Sequence, residues 1–274
     1  MRWVGPLAES QTRTAARAKS VAAKLLVNRW SGRAIRTFRP RQLEFHGVAL
    51  NLADQAIADR VVASLFFKAY ESAEIRYIER FLKGYSGTFV ELGSSLGITS
   101  LIAARQLLPG SRMICVEANP GLAERLVTYL PPLLPRDIEA EVVSAAIAPV
   151  TGWVDFHVSE DSLASRLTEG SPRSDADQIQ AITFDELLSS RHVADDYFLL
   201  CDIEGAERYF IDSEESRALA RCARVVIELH DSGGISGMCV DDLLSALRMK
   251  WGFDILARYG NVIAAERNGS FKSQ

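Results

Sequence analysis

Short apolar runs alternate with amphipathic stretches along most of this chain, and the alternation predicts strands and helices in turn. Thr88–Leu92, Arg112–Val116, Glu141–Ala146, Tyr197–Cys201 and Arg224–Leu229 are mostly apolar and of strand length. Between them, Ile98–Leu108, Gly121–Leu130 and Phe184–Ser189 read as helices, the second stopped by Pro131 and Pro132. Asp59–Lys83 also has a helical pattern, with Ile75, Ile78 and Leu82 on one face and Glu74, Glu79 and Lys83 outside. Val240, Leu243, Leu244, Leu247 and Trp251 mark a further amphipathic helix. Leu43–Leu52 reads as a hairpin around Gly47, and Phe253–Ala257 with Asn261–Ala265 as a closing hairpin around Gly260. Trp153–Val158 and the polar stretch Ser159–Asp177 interrupt the alternation where a substrate loop is expected. The pattern predicts an α/β fold, mostly parallel, with an antiparallel C-terminal hairpin.

The chemistry gathers where strands end. The strand Thr88–Leu92 carries Glu91, and a loop with Gly93 and Gly97 then leads into a helix. The next strand ends in Glu117, followed by Ala118 and Asn119. Glycine lets the backbone bend sharply and approach a ligand closely, and an acid at the tip of the second strand is placed to accept from ribose hydroxyls. The spacing is ExGxxxG. A dinucleotide fingerprint needs a second glycine two residues after the first, against a pyrophosphate, and here that residue is Ser95. An acidic loop without that glycine suits a nucleoside cofactor that has no phosphate and carries cationic groups, which describes S-adenosylmethionine (SAM). The plain alternative is a glycine turn of any α/β protein, with Glu91 capping the helix.

Further along stand FLLCDIEGAE at Phe198–Glu207 and VVIELH at Val225–His230. With FVELGSSLG and VEANP before them, these resemble the FkbM-type family of SAM-dependent methyltransferases. Its members typically read FVDVGANIG, EPNP, LLKIDVEGAE and ELH in that order. YESAEIRYIERFL, SLASRL and TFDELL are similar to weaker features of the family, and the resemblance covers roughly Leu43 to Asn268. It implies a Rossmann-like class I methyltransferase sheet with the closing antiparallel hairpin. It also implies that the segment before the first motif closes over the cofactor, which makes Glu71 a candidate contact for the methionyl ammonium. Ser94–Ser95 stand where the family usually has Ala–Asn, so an amide that could bond the cofactor tail is missing. Cys201 and Ala118 are further departures.

Ligands of an open α/β sheet bind beyond the carboxyl ends of its strands. The candidate cofactor contacts are therefore Glu91, Gly93, Ser94, Ser95 and Gly97 for the methionyl end, Glu117, Ala118 and Asn119 for the ribose, and Ala145 for the adenine region. Asp202, Glu204 and His230 are the candidate catalytic groups, since an alcohol acceptor needs its proton removed. Asp202, Glu228 and His230 together form a candidate divalent-metal set, for example for Mg²⁺. The resemblance implies O-methylation of a hydroxyl on a sugar, glycolipid or natural product as the expected activity. An NAD-dependent dehydrogenase or epimerase is the alternative enzyme, and an adaptor that retains the fold is the non-enzymatic one.

Charge changes the picture only at the start. Residues 1–41 hold ten Lys or Arg and one acid, against 21 bases and 34 acids in the remainder. With the resemblance, this implies a basic extension (1–41), a domain expected to be a methyltransferase (42–268) and a short tail (269–274). Thr14–Trp30 reads as a surface helix, and the basic arm is the candidate contact for a membrane surface or an acidic partner. Nucleic acid is not an expected partner, because the arm offers few aromatic residues and the body is acidic. Four cysteines without a CxxC pair, and no run long enough to span a bilayer, point to a cytoplasmic protein.

Overall fold

A computed structural model describes residues 26–38, 41–55, 57–157, 166–167, 177–231 and 239–269. Most of the Thr14–Trp30 helix, nearly all of the polar insert and most of the tail lie outside the described residues. The chain forms two compact units that divide between Ser72 and Ala73. The composition break near Arg41 falls inside the first.

In the first unit, α1 (Arg29–Phe38) packs on α2 (Asp59–Phe66), with the hairpin β1 (Gln42–Phe45) and β2 (Val48–Asn51) between them in sequence. The turn is His46–Gly47, both at positive φ (49° and 77°), as tight two-residue hairpins require. Gly32 lets the helices touch, since a Cβ there would lie 1.6 Å from the Asp59 carbonyl oxygen. Arg36 bonds the Asp59 carboxylate at 3.0 Å and the carbonyls of Leu52, Asp54 and Ile57. The single helix expected over Asp59–Lys83 is two helices, α2 and α3 (Ser72–Phe81). Lys68 (φ 54°) and Glu71 (φ 37°) occupy left-handed backbone, which a right-handed helix cannot pass through.

In the second unit a seven-stranded sheet runs in the order β12-β13-β11-β10-β3-β4-β5. Its strands are β3 (Thr88–Leu92), β4 (Arg112–Glu117), β5 (Glu139–Ser144), β10 (Tyr197–Cys201), β11 (Cys222–Glu228), β12 (Phe253–Tyr259) and β13 (Val262–Arg267). The first five are parallel to their neighbours, and β13 pairs antiparallel with both β11 and β12. This is the expected fold class. Every residue of β10 is buried, and β3 is buried after Thr88, which explains their mostly apolar character, with Glu91 as the buried acid. Helices α4 (Ile98–Ala104), α5 (Pro120–Tyr129), α6 (Phe184–Ser190), α7 (Arg208–Ile211) and α8 (Val240–Met249) follow strands in the alternation.

The third strand ends earlier than expected, at Ser144. Ala145 turns away, and β6 (Ala146–Ile147) joins a separate four-stranded sheet with β7 (Gly152–His157), β8 (Arg166–Leu167) and β9 (Asp177–Ile182). The described parts of the interrupting stretch thus belong to a small sheet, with Phe156 and Ile179 in its core.

Register places the chemistry. Leu92 is level with Cys201 on one side and Val116 on the other, and Cys201 is level with Ile227. The residues that follow emerge side by side at one edge: Glu117, Gly93, Asp202 and Glu228.

Candidate active site

The loop between β3 and α4 is held from both sides. The amides of Gly93 and Ser94 donate to the Val116 carbonyl at 2.9 and 3.0 Å, and the Asp202 amide donates to Leu92 at 3.0 Å. A Cβ on Gly93 (φ 88°) would lie 1.9 Å from the Asp202 carbonyl oxygen. A Cβ on Gly97 (φ 77°) would meet Leu126 at 2.6 Å and Leu130 at 3.0 Å. Both glycines thus have a packing reason in addition to their place in the loop: one admits β10, the other admits α5. Ser95 also has positive φ (47°).

Two acids brace this loop. Glu91 is buried, and its oxygens accept from the Thr99 hydroxyl at 2.7 Å and from the Ser100 hydroxyl. Burial pushes its carboxyl up to about 7, against the lowering effect of those hydroxyls. Glu117 accepts from the amides of Ser95 and Asn119, each at 2.7 Å. Burial raises its pKa too, opposed by these amides. Asn119 caps α5 through the amides of Gly121 and Leu122. The Ala145 amide donates to the Glu117 carbonyl at 3.1 Å, and Ala118 packs against the small sheet's core. The buried Ser95 hydroxyl has no hydrogen-bond partner in the protein.

Beside this loop, the ends of β10 and β11 form a second cluster. Ligand atoms of Asp202, Glu228 and His230 lie within 4.8 Å of one another. His230 Nδ1 is 2.9 Å from Glu207 Oε1, while its Nε2 is 3.8 Å from Asp202 Oδ1 and 3.7 Å from Glu204. Glu204 (φ 53°) is more exposed than the others. Asp202 Oδ1 is buried without a hydrogen-bond partner, although 31% of the whole side chain is open to solvent.

Acids outnumber bases in this cluster. Burial and then the Glu228 charge push Asp202 up to about 8. Burial raises Glu228 as well. For His230 burial acts downward, but the Glu207 bond and the charges of Glu207, Asp202 and Glu204 outweigh it and carry the imidazole to about 9. These charges favour the imidazolium over the neutral ring, whereas an unperturbed imidazole titrates near neutral pH.

Two acids gain roles that the sequence pattern did not assign. Glu74, expected on the outer face, is buried, and burial with help from Glu228 pushes it up to about 7. Its position four residues before Ile78 was the available signal. Glu207 precedes α7 without capping it; it turns back to accept from the amides of Ile203 and Gly205, each at 3.3 Å, and to hold His230. The second unit brings together every predicted site residue except Glu71, which belongs to the first unit.

A glycine loop braced by two acids, at the carboxyl edge of a sheet closed by an inserted antiparallel strand, fits the class of α/β methyltransferases. The family described as Methyltransferase FkbM domain matches residues 92–255, and the chain belongs to it. It is a methyltransferase. No curated protein matches the chain. Among solved structures it is similar to precorrin-6y C5,15-methyltransferase from Geobacter metallireducens GS-15, at 13% identity over 72% of this chain and 88% of that one, with a TM-score of 0.40. A putative methyltransferase from Porphyromonas gingivalis W83 is similar at 14% identity over 74% of this chain and 41% of its own, with a TM-score of 0.38. The pyocyanin biosynthetic protein PhzM is similar at 14% identity over 76% of this chain and 58% of its own, with a TM-score of 0.34. The chain thus spans less than two thirds of the latter two proteins.

Proposed function

We propose that this chain is a SAM-dependent O-methyltransferase acting on a hydroxyl of a sugar, glycolipid or related natural product. The observation that carries the reading is the buried, unpartnered Oδ1 of Asp202 beside the glycine loop. SAM supplies a methyl group activated by its sulfonium. The residues present fit it: Gly93 to Ser95, with the unpartnered Ser95 hydroxyl, would hold the methionyl end, Glu117 and Asn119 the ribose, and Ala145 the adenine. The chain's own task is to orient two reactants and to remove a proton. Asp202 Oδ1 takes the hydroxyl proton when its carboxyl is ionised; burial raises its pKa, so the ionised fraction grows as pH rises toward about 8, and that carboxylate is a stronger base than an ordinary aspartate. His230, held by Glu207, offsets the charge of Asp202 and Glu204. The free thiols Cys115, Cys201 and Cys222 are buried and suit a reducing, cytoplasmic compartment. No helix among the described residues is long and apolar enough to cross a membrane.

Calorimetry with SAM and with NAD tests the cofactor: heat with SAM alone is expected, and tight NAD binding without SAM heat overturns the assignment. A second reading is favoured by the convergence of Asp202, Glu228 and His230, which would hold a divalent cation. Such an ion would lower the pKa of the acceptor hydroxyl. Turnover with and without EDTA decides: full activity in EDTA that vanishes in Asp202→Asn supports the base, and loss restored by Mg²⁺ or Mn²⁺ supports the ion.

A further inference from the structure

The first unit carries an exposed helix face to which none of the candidate site residues belongs. α1 buries Gly32 and Ile35 and directs Arg36 onto Asp59. Elsewhere on the helix Trp30 is 67% exposed and Phe38 83%, and Ala34 between them is exposed as well. Residues four apart on a helix fall on one stripe, so these three span about 12 Å along one side. Arg29 and Arg33 are exposed on the flank of that stripe, and α1 contains no acid. The Arg29 guanidinium lies 5.1 Å from the centre of the Trp30 ring, so ring and charge meet at one place. The sequence around the helix has the same sign, ten bases and one acid in residues 1–41.

A Trp–Ala–Phe stripe flanked by guanidiniums matches what the water–bilayer boundary demands. Aromatic rings settle at the level where headgroups meet acyl chains, and arginines extend from that depth to the phosphates. A polyanion in water would engage the arginines and leave the apolar stripe hydrated. We propose that α1 docks on a bilayer surface bearing anionic headgroups, with Trp30 and Phe38 as the inserted anchors and Arg29 and Arg33 as the phosphate contacts. Two rings alone give weak adsorption, and the basic arm supplies the second attraction that stable docking needs. This proposal is independent of the methyl-transfer chemistry.

The test is co-sedimentation of the full chain with vesicles of phosphatidylcholine alone and with vesicles containing about one third phosphatidylglycerol. The chain is expected to pellet with the anionic vesicles only. Trp30→Ala combined with Phe38→Ala should weaken binding at least about tenfold, and so should Arg29→Glu combined with Arg33→Glu. Both pairs are exposed, so the melting temperature should stay close to that of the wild type. Brominated acyl chains should quench tryptophan emission in the wild type and much less in Trp30→Phe, which keeps an anchor and still binds. The proposal is overturned if the chain ignores anionic vesicles, or if either double variant pellets as well as the wild type. Binding to heparin that is sensitive to these substitutions, with no binding to vesicles, would also overturn it in favour of an acidic macromolecule.

Discussion

Two pairs of neighbouring strand ends carry buried acids, and the protein treats them in opposite ways. At the ends of β3 and β4, Glu91 has two hydroxyl donors and Glu117 two amide donors, all from the chain itself. At the ends of β10 and β11, Asp202 Oδ1 and Glu207 Oε2 have no donor at all, and three acids crowd one imidazole. Carboxylates supplied with donors make a rigid cradle. Carboxylates buried without donors keep a cost that an incoming proton, cation or hydroxyl relieves. The first pair therefore shapes the site, and the second is where reaction is to be sought.

The most severe way to break this arrangement is Gly93→Ala. The new Cβ would collide with the Asp202 carbonyl, at a residue whose φ is 88°. We expect a loss of about 4 kcal/mol or more, read by urea unfolding; a wild-type midpoint would mean that the two regions are not rigidly joined. Asp202→Asn should leave the fold intact and lower turnover by about 10²- to 10⁴-fold, the usual contribution of a general base. Kinetics with SAM and a hydroxylated acceptor, alongside a melting curve, check both halves, and undiminished turnover would remove Asp202 from the chemistry.

Glu91→Gln sharpens the contrast through pH. The native carboxyl titrates near 7 and the unfolded one near 4.5, so between these values the native state holds a proton that the unfolded state has released. Its contribution to stability is full below about pH 4.5, declines as pH rises to about 7 and is flat above. The glutamine variant lacks this decline and should exceed the wild type at pH 8 by up to about 3 kcal/mol, with the gap shrinking toward pH 4.5. Denaturant melts of both proteins at the two pH values provide the check. An equal gap at both would mean that Glu91 is already ionised in the acid range. Smallest is Glu117→Ala, which should weaken SAM binding by about 1.5–3 kcal/mol. Calorimetry tests it, and unchanged affinity would confine Glu117 to bracing the loop.

The strands Thr88–Leu92 and Tyr197–Cys201 were legible to the residue, because burial on both faces favours apolar residues, Glu91 with its own donors being the exception. Asp202, Glu228 and His230 were legible for a related reason, since each follows or ends such a run. What failed to show were events without a local signature. The break in Asp59–Lys83 needs neither Gly nor Pro; Lys68 and Glu71 simply take positive φ. β6 joins the small sheet through only two residues, Ala146 and Ile147, meeting Ala181 and Ile182 far along the chain. Glu74 reaches the cluster through the packing of a helix that precedes the first motif, and no strand-end rule points to it. Gly93 and Gly97 stood out in the sequence, yet the neighbours that require them, Asp202 and Leu126, lie on other elements.

The insertion of β13 between β11 and β12 has a consequence for the order of events during synthesis. β11 carries Glu228 at its end, and its outer edge stays unpaired until Val262–Arg267 has been made and has threaded into place. Until then Val225–Ile227, apolar and edge-exposed, offers a template for another chain. β13 is made after β3, β4, β5 and β10, so the β11 edge is covered late, and the interval before β13 arrives is when that edge is open to other chains.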